Sequence, residues 1–233
     1  MGRRSDDEGD WRERLPGPGE VGGKLLETID AAVEQRWEQA LRRADSVAHL
    51  PRDRQVRRVS ASVRRQLVAT GAASGGAAAM PGAGTALTVA SLGGDLVVTT
   101  IRLTDLVLTI GAIHGRRDAS VEQRRLWVLA VLAFGEGAAA AVERISTEVA
   151  RGLTATGTAR ASWDLLRGTN RSLARTVVTR FARKRGVIAL GKLMPLGLGA
   201  AIGAGGNAML VNAVGRNADR LMTELPSRGP LVS

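Results

Sequence analysis

Three charged residues stand in an otherwise apolar stretch of the chain and are the first candidates for chemistry. Asp95, Arg102 and Asp105 follow one another at steps of seven and three residues. In a helix these steps place the three side chains within about 80° of one another around the axis. An unpaired buried charge costs on the order of several kcal/mol, so the three must be paired. The trio predicts a buried polar network that fixes helix docking, with a ligand or proton-transfer site as the alternative.

Other motifs with possible chemistry do not fit their structural requirements. The segment from Gly186 to Lys192 is similar to a phosphate-binding loop, but Leu193 stands where that loop needs Ser or Thr, and a basic helix precedes it instead of a strand. The two histidines, His49 and His114, lack an acid and a nucleophile in a recognisable order. Without cysteine they also leave no metal-ligand spacing. We therefore expect no catalytic residue, no metal and no cofactor.

The charge balance favours an anionic partner. The chain has 33 basic and 22 acidic side chains, for a net charge of +11, and such an excess suits phospholipid, nucleic acid or an acidic protein surface. Only three of the basic residues are lysines, so a general preference for arginine is an equal alternative. With six aromatic residues and no helix-turn-helix, the chain has no means of reading bases. We expect no sequence-specific nucleic-acid binding.

The two ends of the chain differ in composition from the middle. Residues 1–22 are polar, mixed in charge and broken by prolines and glycines, which predicts a disordered tail. The helical domain is expected over residues 23–225, followed by a short tail over 226–233. No apolar run follows Arg3 and Arg4, so no secretory signal is expected. The absence of cysteine fits a reducing compartment, and a cytoplasmic location is expected.

Helical periodicity dominates the middle of the chain. An amphipathic pattern runs from Lys24 to a break at Pro51, and a second helix follows with a valine stripe and arginines around the rest. A helix ending is expected at His114-Gly115, and Ser120 with Gln123 forms a capping-box pattern that opens a helix through Phe134. A further helix is expected over 138–150. No segment alternates like a strand, so the fold class is all-α, a single multi-helix domain.

Two uncharged, glycine-rich stretches predict the central packing of this domain. They cover residues 66–94 and 193–215, and their small residues recur at every fourth position, so helix backbones can approach closely. We expect them to form a central helical pair, with the charged trio as its polar seam. The second stretch is long enough to span a bilayer, but its six glycines, proline and asparagines favour a soluble core. The residues assigned to helix packing are Gly71, Gly75, Gly199 and Gly203, and those expected to partner the trio are Asn207 and Asn212.

An arginine-rich face follows the link after Gly152. A helical apolar stripe runs from Trp163 to Phe181, and arginines occupy the opposite side. Such a face can lie on anionic lipid, although a merely solvated face is the simplest alternative. The arginines assigned to this surface are Arg160, Arg167, Arg171, Arg175 and Arg183.

The chain resembles the EcsC family over roughly residues 25–222. The first similar segment contains Pro81-Gly82, Gly94-Asp95-Leu96, Arg102 and the ending Ile113-His114-Gly115; the second runs from Pro195 to Asn207. The resemblance implies a helical, non-enzymatic protein for which membrane association is suspected. The family takes its name from a component encoded beside an ABC transporter.

Three functional hypotheses follow. The first is a non-enzymatic, cytoplasmic accessory protein that associates peripherally with an anionic membrane surface, or with a membrane transport or secretion component. The second is a module that binds a lipid or a small apolar ligand in a cavity between the glycine-rich helices. The third is a hydrolase-like enzyme that uses Asp95 and Asp105.

Overall fold

The computed structural model describes residues 18–78, 85–156, 168–170, 173, 176–177 and 198–226. Helices account for most of these residues and none of them is in a strand, so the all-α prediction is confirmed. The helices are α1 (Pro18–Gln35), α2 (Trp37–Ser46), α3 (Arg52–Ala78), α4 (Thr85–Ile113), α5 (Val121–Phe134), a short 3-10 helix (Gly135–Gly137), α6 (Ala138–Thr156) and α7 (Leu198–Glu224).

The first helix begins earlier than its composition suggests. α1 starts at Pro18, inside the segment assigned to the disordered tail, and proline suits a first helical position because its missing N–H has no partner there. The rest of that tail lies outside the described residues. The predicted single helix up to Pro51 is two helices, α1 and α2, separated at Arg36. The separation is slight, because Arg36 N donates to Ala32 O and Ala40 N donates to Arg36 O across it.

The central helix of the fold is α4, which contacts α1, α2, α3, α5 and α7. From Leu103 to Ala112 every residue of α4 is buried. The helix ends as predicted at His114-Gly115, where Gly115 adopts a φ of 79° and its N–H donates to Ala112 O. This left-handed residue closes the helix with the geometry that glycine adopts at no steric cost.

The described contacts bring together two of the helices that carry the glycine-rich stretches. α3 and α7 pack extensively against each other, and they run antiparallel, because Ser60 meets Gly215 while Leu67 meets Asn207. α4 begins inside the first stretch and packs against both helices. The central pairing of the two stretches stays a prediction, because most of their side chains lie outside the described residues. Gly71, Gly75, Gly199 and Gly203 fall within the helical ranges, but their packing lies outside the described residues.

The closest described backbone approaches occur at two other glycines. A Cβ at Gly215 would lie 2.7 Å from Ser60 Oγ on α3, and a Cβ at Gly111 on α4 would lie 2.9 Å from Cζ3 of Trp127 on α5. Both positions therefore need glycine for the helices to approach as they do. The role predicted for Gly71, Gly75, Gly199 and Gly203 stays a prediction, and Gly111 and Gly215 are the glycines at the tight described contacts.

The α5–α6 region confirms two local predictions. Gln123 N donates to Ser120 Oγ at 3.3 Å and Ser120 N donates to Gln123 Oε1 at 2.9 Å, so the capping box forms and α5 ends at Phe134 as expected. Gly135 then adopts a φ of 58° and turns the chain into α6. This reciprocal pair satisfies amide donors that the helix start leaves free.

Candidate functional site

A buried carboxylate with three arginines is the most strongly charged cluster of the described core. Asp105 on α4 is only 1% exposed. Arg36 holds it with two hydrogen bonds, from Nε to Oδ1 at 2.5 Å and from Nη2 to Oδ2 at 2.8 Å. Nη1 of Arg43 and Nη1 of Arg102 each lie 3.8 Å from Oδ2. We call these four residues the Asp105 cluster.

Helical spacing brings the members of this cluster together. Arg36 and Arg43 are seven residues apart at the start of α2 and within it, so both side chains emerge on the side that faces α4. Arg102 precedes Asp105 by three residues on α4 and therefore lies on the same face. The cluster thus fastens α2 and the α1–α2 junction to the central helix.

The Asp105 cluster carries more positive than negative charge. The hydrogen bond to Asp105 raises the pKa of Arg36. Burial opposes this shift, and the attraction between the two charges adds to it. All three guanidinium groups stay charged at neutral pH, so the cluster carries three positive charges and one negative charge. Arg36 satisfies the carboxylate, while Arg43 and Arg102 contribute charge without a hydrogen bond to it.

The structure brings together only part of the predicted polar network. Arg102 and Asp105 are neighbours as expected, whereas the side chain of Asp95 lies outside the described residues. Asn207 is buried, and its Nδ2 donates to Leu67 O on α3 at 3.1 Å. Asn212 is half-buried on α7. The charged seam therefore lies between α4 and α2, and the asparagine serves the contact between α3 and α7.

Sequence reasoning missed Arg36 and Arg43. The sequence contained an indication of their position, because both residues border the buried apolar stripe formed by Trp37, Ala40 and Ala44. Arginines at the edge of such a stripe can reach a charge on the neighbouring helix while their stems cover apolar surface. The spacing of seven residues would have pointed to one common partner, but nothing in the sequence says which acid faces them.

A second charged cluster has the opposite composition. Arg125 on α5 lies between three acids: Nε is 2.6 Å from Asp30, Nη1 is 2.6 Å from Glu122, and Nη2 is 3.7 Å from Glu34. Asn170 Nδ2 donates to Glu122 Oε2 at 3.0 Å. We call Arg125 and its three acids the Arg125 cluster. It ties α1 to α5, and its two α1 acids are more than half exposed.

The arginines assigned to an anionic-surface site lie outside the described residues; they are Arg160, Arg167, Arg171, Arg175 and Arg183. The described chain nevertheless contains a basic surface on α3. Its arginines are all exposed, while Val56, Val59, Val63 and Leu67 of the same helix are buried. We call this surface the α3 arginine face; it consists of Arg54, Arg57, Arg58, Arg64 and Arg65.

The α3 arginine face is largely unpaired. Arg57 forms an exposed ion pair with Asp53 one turn earlier. By contrast, Arg58, Arg64 and Arg65 form no ion pair within the described part of the chain. Exposed guanidinium groups without acidic partners remain available to an external anion.

One helical run has the length and hydropathy of a membrane span. It covers Val121–Glu148, and 61% of its most apolar window is buried inside the protein. It is a different segment from the glycine-rich stretch at 193–215, whose length was considered above as sufficient to span a bilayer. A buried core helix meets the same two criteria, and the turn at Gly135 interrupts this run. Length and composition here are only weakly compatible with membrane association.

Two of the described side chains with possible acid–base chemistry, Asp105 and His114, lie at contacts between helices. In the ranges given above, no group of three or more His, Cys, Asp or Glu side chains is arranged to hold a metal ion. His114 Nε2 lies 2.8 Å from Asp219 Oδ1, joining the end of α4 to α7. Asp105 is buried and engaged by Arg36 through both oxygens, which is not the accessible geometry a general base requires.

Comparisons with known proteins add no relative. No protein-family model matches the chain, and neither a curated protein nor a solved structure matches it significantly. The similarity to the EcsC family therefore remains a prediction that rests on the motif residues. Those of the first motif segment from Gly94 onward lie on α4 and at its end.

Proposed function

We propose that the protein is a non-enzymatic, cytoplasmic accessory protein that binds an anionic membrane surface peripherally. The observation that supports this proposal is the α3 arginine face, which is exposed and mostly without acidic partners. Each arginine held near an anionic bilayer contributes about 1 kcal/mol of attraction. Five arginines on one helix face can therefore hold the protein at a membrane without inserting any helix.

The resemblance to the EcsC family supports the same proposal, because membrane association is suspected for that family. The five arginines that the sequence assigns to an anionic surface would add further positive charge; they are Arg160, Arg167, Arg171, Arg175 and Arg183. A membrane transport or secretion component with an acidic cytoplasmic surface is the alternative partner, since it offers the same complementary charge.

Vesicle co-sedimentation tests the proposal. The purified chain should pellet with vesicles that contain phosphatidylglycerol and remain in solution with pure phosphatidylcholine. Binding should fall steeply between low and high salt, because screening weakens exposed charge attraction. Binding that survives a carbonate wash would contradict peripheral association and point to insertion of the run Val121–Glu148.

Charge reversal locates the binding surface. The triple variant Arg58→Glu, Arg64→Glu and Arg65→Glu should lose binding to phosphatidylglycerol vesicles. A matched control reverses three exposed arginines on three other helices, Arg42, Arg144 and Arg216, and so changes the net charge equally. Equal binding by both variants would remove the α3 arginine face from the mechanism.

A further inference from the structure

The Asp105 cluster contains more positive charge than the protein neutralises. Arg36 alone satisfies the carboxylate with two direct hydrogen bonds. Arg43 and Arg102 face the same oxygen at 3.8 Å, too far for a hydrogen bond. The cluster therefore keeps two excess positive charges beside a single buried carboxylate.

The donors of these two arginines are unused. The guanidinium groups of Arg43 and Arg102 donate no hydrogen bond within the described chain, and their side chains are 22% and 34% exposed. They are thus neither satisfied by the protein nor fully surrounded by water. Their Nη1 atoms lie 3.8 Å from the same oxygen, so the two atoms are less than twice that distance apart.

The two guanidinium groups approach Asp105 from different helices. Arg43 extends from α2 and Arg102 from the central helix α4, next to half-buried Ile101 and buried Leu103. Asp105 attracts both groups toward one point, while Arg36 fixes the carboxylate itself. The shared carboxylate therefore keeps both guanidinium groups near one point, which lowers the cost of bringing them to a common ligand.

We propose that Arg43 and Arg102 form a binding site for a phosphate monoester group, seated on the solvent side of Asp105. A doubly ionised phosphate matches the two excess charges, and its oxygens accept the paired donors that arginine presents. The same group occurs on soluble phosphorylated metabolites and on lipid headgroups such as phosphatidic acid. This site uses residues separate from the α3 arginine face and does not rest on the proposed membrane function.

Thermal unfolding with inorganic phosphate is the first test. Phosphate should raise the melting temperature above that in sodium chloride of equal ionic strength, because a ligand that binds only the folded state stabilises it. The double variant Arg43→Gln and Arg102→Gln should lose this increment. Each lost charged hydrogen-bonding group should weaken phosphate binding at least about tenfold.

A matched variant controls for unspecific attraction. The variant Arg58→Gln and Arg64→Gln removes the same charge from the α3 arginine face and should keep the phosphate increment. If the two double variants respond alike, the proposed site is wrong. Nuclear magnetic resonance of the unaltered protein covers the case in which a variant fails to fold: the Nε–Hε signals of Arg43 and Arg102 should shift saturably with phosphate. Signals that do not shift would overturn the proposal.

Two further ligands show whether the site prefers a soluble phosphate monoester or one on a lipid headgroup. Glycerol 3-phosphate represents a soluble monoester, and phosphatidylcholine vesicles with phosphatidic acid represent a lipid monoester. Preference for the first places the site with soluble metabolites. Preference for phosphatidic acid vesicles assigns the site to lipid headgroups. In that case the Arg43→Gln and Arg102→Gln variant should lose this preference and still bind phosphatidylglycerol vesicles. Binding of neither would contradict the site, even where the α3 arginine face still binds vesicles.

Discussion

The two sides of the central helix α4 are built from different chemistry. Toward α2, the contact depends on charge, with buried Asp105 between three arginines. Toward α5, the contact depends on the absence of a side chain, with Gly111 against Trp127. Charge attraction brings α2 close to α4, whereas the small volume of Gly111 lets α5 approach α4 closely.

This difference separates two requirements that one interface could not meet easily. A buried charge needs partners that reach it with long side chains, which hold helix axes apart. A close backbone approach needs short side chains and excludes such partners. Asp105 and Gly111 are six residues apart on α4, so the charged seam and the glycine contact lie about 120° apart around one helix. Charge contributes to the docking of α2 on α4, and the small volume of Gly111 contributes to the docking of α5.

The largest effect is expected on the charged side. Asp105→Asn keeps the shape of the side chain but leaves three guanidinium groups around a neutral amide. Removing one partner of a buried ion pair costs about 3–5 kcal/mol, and urea unfolding should show a loss of this size. The matched control is Asp30→Asn in the Arg125 cluster. Asp30 is exposed and Arg125 keeps two other acids, so a loss of about 1 kcal/mol or less is expected. Equal losses would show that burial does not decide the strength of these clusters.

The second prediction concerns the small-volume side. Gly111→Ala puts a Cβ 2.9 Å from the Trp127 ring, which is itself buried and cannot move aside easily. Overpacking of this kind costs about 1–3 kcal/mol, against about 1 kcal/mol gained when alanine replaces a helical glycine. The melting temperature should fall.

A glycine without close neighbours provides the control for Gly111. Gly205 on α7 is exposed, and a Cβ there would meet nothing within 4 Å. Gly205→Ala should therefore raise the melting temperature through helix propensity alone. If both substitutions change the melting temperature in the same direction, close packing at Gly111 is not what requires glycine there.

A third, smaller effect is expected where α7 meets α3. Asn207→Ala removes the donor that Nδ2 offers to Leu67 O and leaves a small cavity in the contact. A buried hydrogen bond of this kind is worth about 1 kcal/mol, which thermal unfolding can resolve. A loss as large as that of Asp105→Asn would mean that the α3–α7 contact also depends mainly on polar pairing.

The sequence was sufficient for features that depend on near neighbours in the chain. The capping box at Ser120, the helix ending at Gly115 and the pairing of Arg102 with Asp105 each involve residues within one turn. The partners Arg36 and Arg43 are 69 and 62 residues from Asp105 in the chain. No local pattern indicates which helix faces α4. The choice of Gly111 and Gly215 over other glycines also depends on tertiary neighbours, Trp127 and Ser60. Periodicity therefore predicts the elements, but the partners follow only from docking.

The smallest effect tests an exposed ion pair on the charged side. Asp45 near the end of α2 pairs with Arg117 after α4. The hydrogen bond from Arg117 holds the pKa of Asp45 below its usual value; desolvation opposes this shift and charge attraction adds to it. Because the folded-state pKa is the lower one, the stabilisation is present above the unfolded value of about 3.9 and is lost as the pH falls through the folded value.

Carboxyl titration by nuclear magnetic resonance measures this pair directly. The pKa of Asp45 should return toward its usual value in Arg117→Gln and also in the wild type at high salt, because an exposed pair is screened. The Arg36–Asp105 ion pair should resist the same salt, since water and ions do not reach its carboxylate. If salt disrupts both pairs alike, Asp105 is accessible in solution, and the charged side of α4 is held by surface electrostatics and not by a buried charge.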